Sequence, residues 1–259
     1  MAKVVSTLFI SADGVAEIDP AWHFPYFDEN MGRAVTEDYA TADVLLLGRV
    51  TFDSFAGAWP DREAAGGEDA PFAQQLGDLR KVVASRGPLE FSWRNCEPLD
   101  GDLVAAVTAL RDDDDVRGVL IPGSISIVQQ LLAAGLVDEL RLLVHPVAAR
   151  QGRRLFDDGG APYHLKVAAT ETFPTGVIRV IYAPGAPPAP AGYDEAREHI
   201  APGGAAVRRC GRRARYSVAA TSKASQIAYM MLETRRASPR NWTGTGAVRT
   251  TSCSAVSDR

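Results

Sequence analysis

With 259 residues, 46% of them hydrophobic and 23% charged, the chain has the composition of a water-soluble globular protein with enough apolar material for a sizeable core. No apolar run approaches the roughly 18 to 20 residues that cross a bilayer, and "MAKVVSTLFISADG" lacks the small-residue cleavage site of a secretory signal, so the cytoplasm is the expected compartment. The net charge of −4 is divided unevenly: residues 1 to 184 hold 16 Lys+Arg against 27 Asp+Glu, whereas residues 185 to 259 hold 12 against 5.

The acidic part reads as alternating strands and helices. Residues 3 to 10 (KVVSTLFI) are a strand, and residues 27 to 42 a helix with Met31, Val35 and Tyr39 on one face. A buried strand at 43 to 48 (DVLLLG) runs into a short helix beginning at Thr51, a further helix covers 70 to 79, and 80 to 85 (RKVVAS) is a strand. The helix at 103 to 111 ends in the solvated turn DDDD, the strand at 117 to 123 (RGVLIPG) leads into a helix at 124 to 135, and 138 to 147 is a strand. The segments YHLKVAATETF and GVIRVIYA, joined through PTG, read as a hairpin. The pattern predicts an α/β fold in which a mainly parallel sheet is covered by helices and finished by an antiparallel hairpin.

The chain divides near residue 185. "APGAPPAPAG" (183 to 192) predicts an extended linker between a folded domain at 1 to 184 and a basic extension at 185 to 259. Apart from one possible helix at 224 to 237, that extension lacks periodicity and is expected to be largely disordered. Its arginines, such as Arg208, Arg209 and Arg212, would suit phosphates, but so unselective a composition is not expected to bind nucleic acid. The three cysteines, Cys96, Cys210 and Cys253, form no CxxC pair and have no His at zinc-ligand spacing, so neither a disulfide framework nor a metal site is expected; Cys96 reads as a small buried hydrophobe.

Three strand ends carry residues that suit phosphate. In an open α/β sheet, ligands lie beyond the carboxyl ends of the strands, where helix N-termini point. After the second strand, Gly48 allows close approach, Arg49 brings charge and Thr51 a hydroxyl at a helix start. After the third, Ser85 and Arg86 could hold a monophosphate through charge-assisted hydrogen bonds. Gly123 and Ser124 form another strand-to-helix turn, where Ser124 alone also reads as an ordinary N-cap. Neither GxGxxG nor GxxxxGK(S/T) occurs, which argues against a Rossmann fingerprint and a Walker ATPase.

In their order, STLFISADGVA, ATADVLLLGRVTFDSF, VVASR, GVLIPGSISIVQQLLAAGLVDELRLLVHPV and GRRLFDD resemble the dihydrofolate-reductase-like family that includes the reductase domain of the bacterial bifunctional riboflavin-biosynthesis deaminase-reductase. The resemblance covers residues 3 to 183. It implies a three-layer α/β fold that binds NADPH and passes hydride to a C=N or C=O carbon of a small heterocycle of pyrimidine or pterin type. By motif match, Gly48, Arg49 and Thr51 would face the pyrophosphate, Ser85 and Arg86 the adenosine 2'-phosphate, and Gly123 and Ser124 the diphosphate and nicotinamide ribose. Ala12, Asp13 and Gly14 would cover the nicotinamide. The proton donor would be Asp28, at the start of the helix after AWHFPYF, or Asp13, either carboxyl gaining a raised pKa by desolvation beside the nicotinamide; Asp28 also reads as helix N-terminal charge. His23 reads as a loop residue. The family commonly forms homodimers. The deaminase signature HxE with PCxxC is missing, so no deamination is expected, and Arg150 stands in "VAARQG" where the family usually has Gly. Dihydrofolate reduction and nucleotide binding without turnover are the alternative functions.

Overall fold

A computed structural model of the chain describes residues 1–156 and 160–192, and the extension from residue 193, with its possible helix, lies outside these. In chain order the elements are β1 (Lys3–Ser11), α1 (Pro20–His23), a 3-10 turn (Phe24–Tyr26), α2 (Glu29–Ala40), β2 (Val44–Gly48), α3 (Arg49–Ala56), α4 (Trp59–Ala65) and α5 (Ala70–Asp78). Then follow β3 (Arg80–Ala84), β4 (Cys96–Pro98), α6 (Leu103–Asp112), β5 (Gly118–Pro122), α7 (Ile125–Ala133), β6 (Glu139–His145), β7 (Leu165–Thr172) and β8 (Ile178–Pro184). One sheet of eight strands results, in the order β4-β3-β2-β5-β1-β6-β8-β7. Strands β1 to β6 pair in parallel, while β8 lies antiparallel to both β6 and β7.

Helices cover both faces of the sheet, so its central strands are apolar on both sides rather than alternating with polar residues. On β1, Val5 and Phe9 enter one core while Val4, Leu8 and Ile10 enter the other. Likewise Leu45 and Leu47 of β2 face the first core, and Val44 and Leu46 the second. The first core is closed by α2 (Met31, Val35, Tyr39), α3 (Phe52, Phe55), Trp59 of α4 and Leu76 of α5. The second is closed by Val107 and Leu110 of α6 and by Ile127, Val128 and Leu131 of α7.

This layering locates the switch point. β1 reaches β2 through α2 over the first face, whereas its sheet neighbour β5 reaches β6 through α7 over the second. Between the carboxyl ends of β1 and β5 the two connections diverge, and a crevice opens there.

Four short elements add to those the periodicity predicts. The helix α1 starts on an Asp19 cap with Pro20 at its first position, and the following 3-10 turn lies in a segment read only as a loop. The third is α4, and the fourth β4, whose three residues are too few to show alternation. Cys96, on β4, is half-buried and packs against the first core. Lys81 of β3 is fully buried, its Nζ donating to the carbonyls of Leu76, Gly77 and Leu79 at 2.6–3.0 Å and standing 4.2 Å from the centre of the Trp93 ring. The ammonium thus satisfies the open carbonyls at the end of α5. β7 closes the other edge of the sheet and is exposed along nearly its whole length.

Candidate functional site

A cleft of about 1730 Å³ lies along the carboxyl ends of β2, β3 and β5 and beside β1. Gly48, Arg49, Thr51, Ser85, Arg86, Gly123 and Ser124 all line it, so the three strand ends do converge. Two turns are tied by one hydroxyl: Gly48 N donates to Ser124 Oγ at 2.8 Å, and Ser124 Oγ donates to Thr51 Oγ1 at 3.0 Å. Gly123, at φ 97°, suits this crossing because its left-handed backbone conformation disfavours any other residue.

Ser124 therefore is not the capping residue that its position allowed. No side chain caps α7, and none caps α3. Both helices begin on the cleft with their first amides and positive dipole ends free of a capping oxygen, an arrangement that suits a bound anion.

The cations behave differently from one another. Arg49 is held by Asp53 (Nε to Oδ2, 2.8 Å) and donates from Nη1 to Pro88 O at 2.7 Å, which ties α3 to the loop after β3. Ser85 exchanges hydrogen bonds with the backbone of Gly87 at 3.0 and 3.2 Å and so shapes that loop. Arg86, exposed on the same loop, makes no hydrogen bond or ion pair among the described residues. Of the two arginines at these turns, it is the one whose guanidinium is available to a ligand.

Neither expected acid lines the cleft. Asp13 accepts from Ser11 Oγ at 2.6 Å, from Ala149 N at 2.9 Å and from Arg150 N at 3.0 Å, and Arg154 lies against it. Led by the Ser11 hydroxyl, these donors lower its pKa to about 2, the reverse of the rise expected beside a nicotinamide. The carboxylate is a clamp that joins the loop after β1 to the 147–154 loop. Ala12 and Gly14 serve the same junction: Ala12 N donates to Val147 O at 2.8 Å, and Leu155 N to Gly14 O at 3.0 Å. Arg150 keeps a left-handed backbone, φ 61°, at the position where the family usually has Gly. Asp28 caps α2, accepting from Met31 N at 3.0 Å and from Asn30 Nδ2 at 3.2 Å, so of its two sequence roles the structure supports helix capping.

His23 is not a loop residue either. It is fully buried, with Nδ1 3.1 Å from His145 Nε2 and rings of Phe9, Phe24 and Phe27 around it. Burial pushes its pKa from 6.5 down to about 3 and lowers that of His145 as well. Across that interval the unfolded chain takes up a proton that the folded chain refuses, so stability is greatest above about pH 6.5 and falls as the pH drops. His23 should account for a loss of about 2 kcal/mol between pH 6.5 and pH 5. Urea midpoints at the two pH values measure the loss, and His23→Gln should remove most of it.

The residues missed from sequence line the other half of the cleft, beside β1 and α2: Thr7, Phe9, Ile18, Val35 and Tyr39. Thr7 Oγ1 donates to Asp38 Oδ2 at 2.7 Å, and Asp38 is fully buried between Arg141 and Arg179. One signal was available. Met31, Val35 and Asp38 follow helical spacing, which puts a charged residue on the apolar stripe.

Fold, switch-point cleft and paired helix starts define an open α/β protein of the dihydrofolate-reductase-like class, with its cleft beyond the strand ends. More narrowly, the chain belongs to the family of the RibD C-terminal domain, a riboflavin-biosynthesis, reductase-like family whose profile matches residues 2–179. The Bacillus subtilis protein YyaP is 27% identical over 191 residues, covering 70% of this chain and 94% of YyaP. Among solved structures, a Shewanella protein assigned to riboflavin biosynthesis aligns with TM-score 0.54 and 18% identity, over 72% of this chain and all of that one. RibD of Acinetobacter baumannii aligns with TM-score 0.54 and 16% identity, over 72% of this chain and 59% of that one. A pyrimidine reductase-like protein of Corynebacterium diphtheriae gives TM-score 0.51 and 16% identity, over 72% and 93%. At such identities the structural likenesses establish the fold. No helix among the described residues is long and apolar enough to cross a membrane.

Proposed function

We propose that the chain is an NADPH-dependent reductase of a small pyrimidine- or pterin-like heterocycle. The observation that carries this reading is Arg86: a guanidinium without a partner among the described residues, on the loop after β3, at a cleft onto which two helices open without a side-chain cap. Donors of this kind fit a dinucleotide diphosphate at the helix starts and a ribose monophosphate at the arginine. When bound, NADPH supplies hydride to the carbon of a C=N or C=O, and the heteroatom takes a proton. The protein's part is orientation and exclusion of water. Asp13, held ionised, and Asp28, engaged in its cap, both lie off the cleft, so neither is placed to supply that proton.

Titration of NADPH and of NADH into the full chain, followed by nicotinamide fluorescence, tests the reading. NADPH should bind at least about ten-fold more tightly, the contribution of one charge-assisted contact to the extra phosphate. Equal affinities, or no binding of either, would overturn it. That neither Asp13 nor Asp28 lines the cleft favours a second reading, nucleotide binding without turnover. Oxidation of bound NADPH on addition of 5-amino-6-(5-phosphoribosylamino)uracil or dihydrofolate separates the two.

A further inference from the structure

Thr7 stands where the cleft meets the switch point. It pairs with Pro122 on β5, its carbonyl accepts from Gly123 N at 3.3 Å, and its side chain lines the cleft while only 8% of the residue is exposed. Its hydroxyl proton has one destination. Asp38 Oδ2 is 2.7 Å away, and the other oxygen of the same carboxylate accepts from Arg141 Nη1 at 2.7 Å and from Arg179 Nη2 at 2.6 Å. Guanidinium groups carry donors only, and a carboxylate facing two of them is an acceptor only, so the proton of the Thr7–Asp38 bond belongs to Thr7.

A threonine hydroxyl is ordinarily donor or acceptor as its surroundings require. Here three charged side chains remove that choice and leave Thr7 with lone pairs alone to offer the cleft. Asp38 is 0% exposed, and the side chains of Arg141 and Arg179 are 11% and 10% exposed, so solvent competes little for the arrangement. Tyr39, the neighbour of Asp38 in α2, lines the same cleft with a buried hydroxyl that has no hydrogen-bond partner among the described residues.

We propose that Thr7 determines substrate specificity by accepting a hydrogen bond from a ring N–H or amino group of the heterocycle, and that Asp38, held by Arg141 and Arg179, is the positioning residue that fixes this polarity. The inference rests on the reductase reading and narrows it to substrates that present an N–H donor to β1. An analogue without that donor leaves the threonine lone pairs buried and unmatched, which is a strong basis for rejection.

Calorimetric titration of the full chain with 5,6-diaminouracil, and with 2,4-dimethoxypyrimidine as a ring that lacks N–H, tests it with and without NADP+. The wild type should prefer diaminouracil by at least about ten-fold, Thr7→Val should abolish the preference, and Thr7→Ser, which keeps the hydroxyl, should hold it within about three-fold. NADPH affinity should stay unchanged in both variants. Diaminouracil binding that is absent in the wild type, or unaffected in Thr7→Val, would overturn the inference even if NADPH binds. Failure of NADPH to bind while diaminouracil still depends on Thr7 would overturn the reductase reading and leave the acceptor in place.

Discussion

Arg86→Ala should raise the dissociation constant for NADPH by about 10- to 100-fold and leave that for NADH where it was. A charge-assisted hydrogen bond contributes about 1.5–3 kcal/mol, and each 1.4 kcal/mol is a factor of ten. The arginine has no competing partner among the described residues, so removing it breaks no hydrogen bond or ion pair there and frees no buried charge. Arg49→Ala makes the contrast. Its guanidinium bridges Asp53 and the carbonyl of Pro88, so its loss would loosen the loop after β3 and weaken both nucleotides together. Paired titrations by fluorescence distinguish a phosphate contact, which separates the two cofactors, from a loop effect, which does not.

Asp38→Ala is expected to destabilise the protein by about 3–5 kcal/mol, because it removes the fully buried carboxylate that two nearly buried guanidinium groups share. Arg179 would retain Glu37 at 2.9 Å and Arg141 would retain Glu139 at 2.6 Å, but those carboxylates lie outward at 49% and 18% exposure and cannot replace a fully buried one. Urea denaturation of the full chain measures the loss. Thr7→Val, which removes a neutral hydrogen bond to the same carboxylate, should cost about 1 kcal/mol. The difference between the two variants isolates charge compensation from hydrogen bonding.

What the sequence disclosed and what it withheld divide along physical lines. Runs such as VLLL in β2 and GVLI in β5 announce strands buried on both faces, and the spacing of Met31, Val35 and Tyr39 announces α2, because burial imposes a period on local sequence. The Gly, Arg and hydroxyl residues that end β2, β3 and β5 were legible because a strand-to-helix turn is itself local. The remainder of the cleft was not. Asp13 meets Ala149, Asp38 meets Arg141, and His23 meets His145, each across more than 100 residues of chain. No window of sequence contains both partners. Asp13 is instructive, since a carboxylate beside Gly14 resembles a catalytic acid until the two amides from the far loop are seen to hold it ionised.

The burial of Lys81 has a practical corollary in chemical labelling. Its amine lies under Trp93 with all three protons engaged by backbone carbonyls and is closed to reagents, whereas Lys3 and Lys166 are exposed. An acylating reagent would mark those two at once and reach Lys81 only when the corner of α5 and β3 parts. The rate of modification at this one lysine is therefore a clock for the breathing of the sheet edge that carries Arg86.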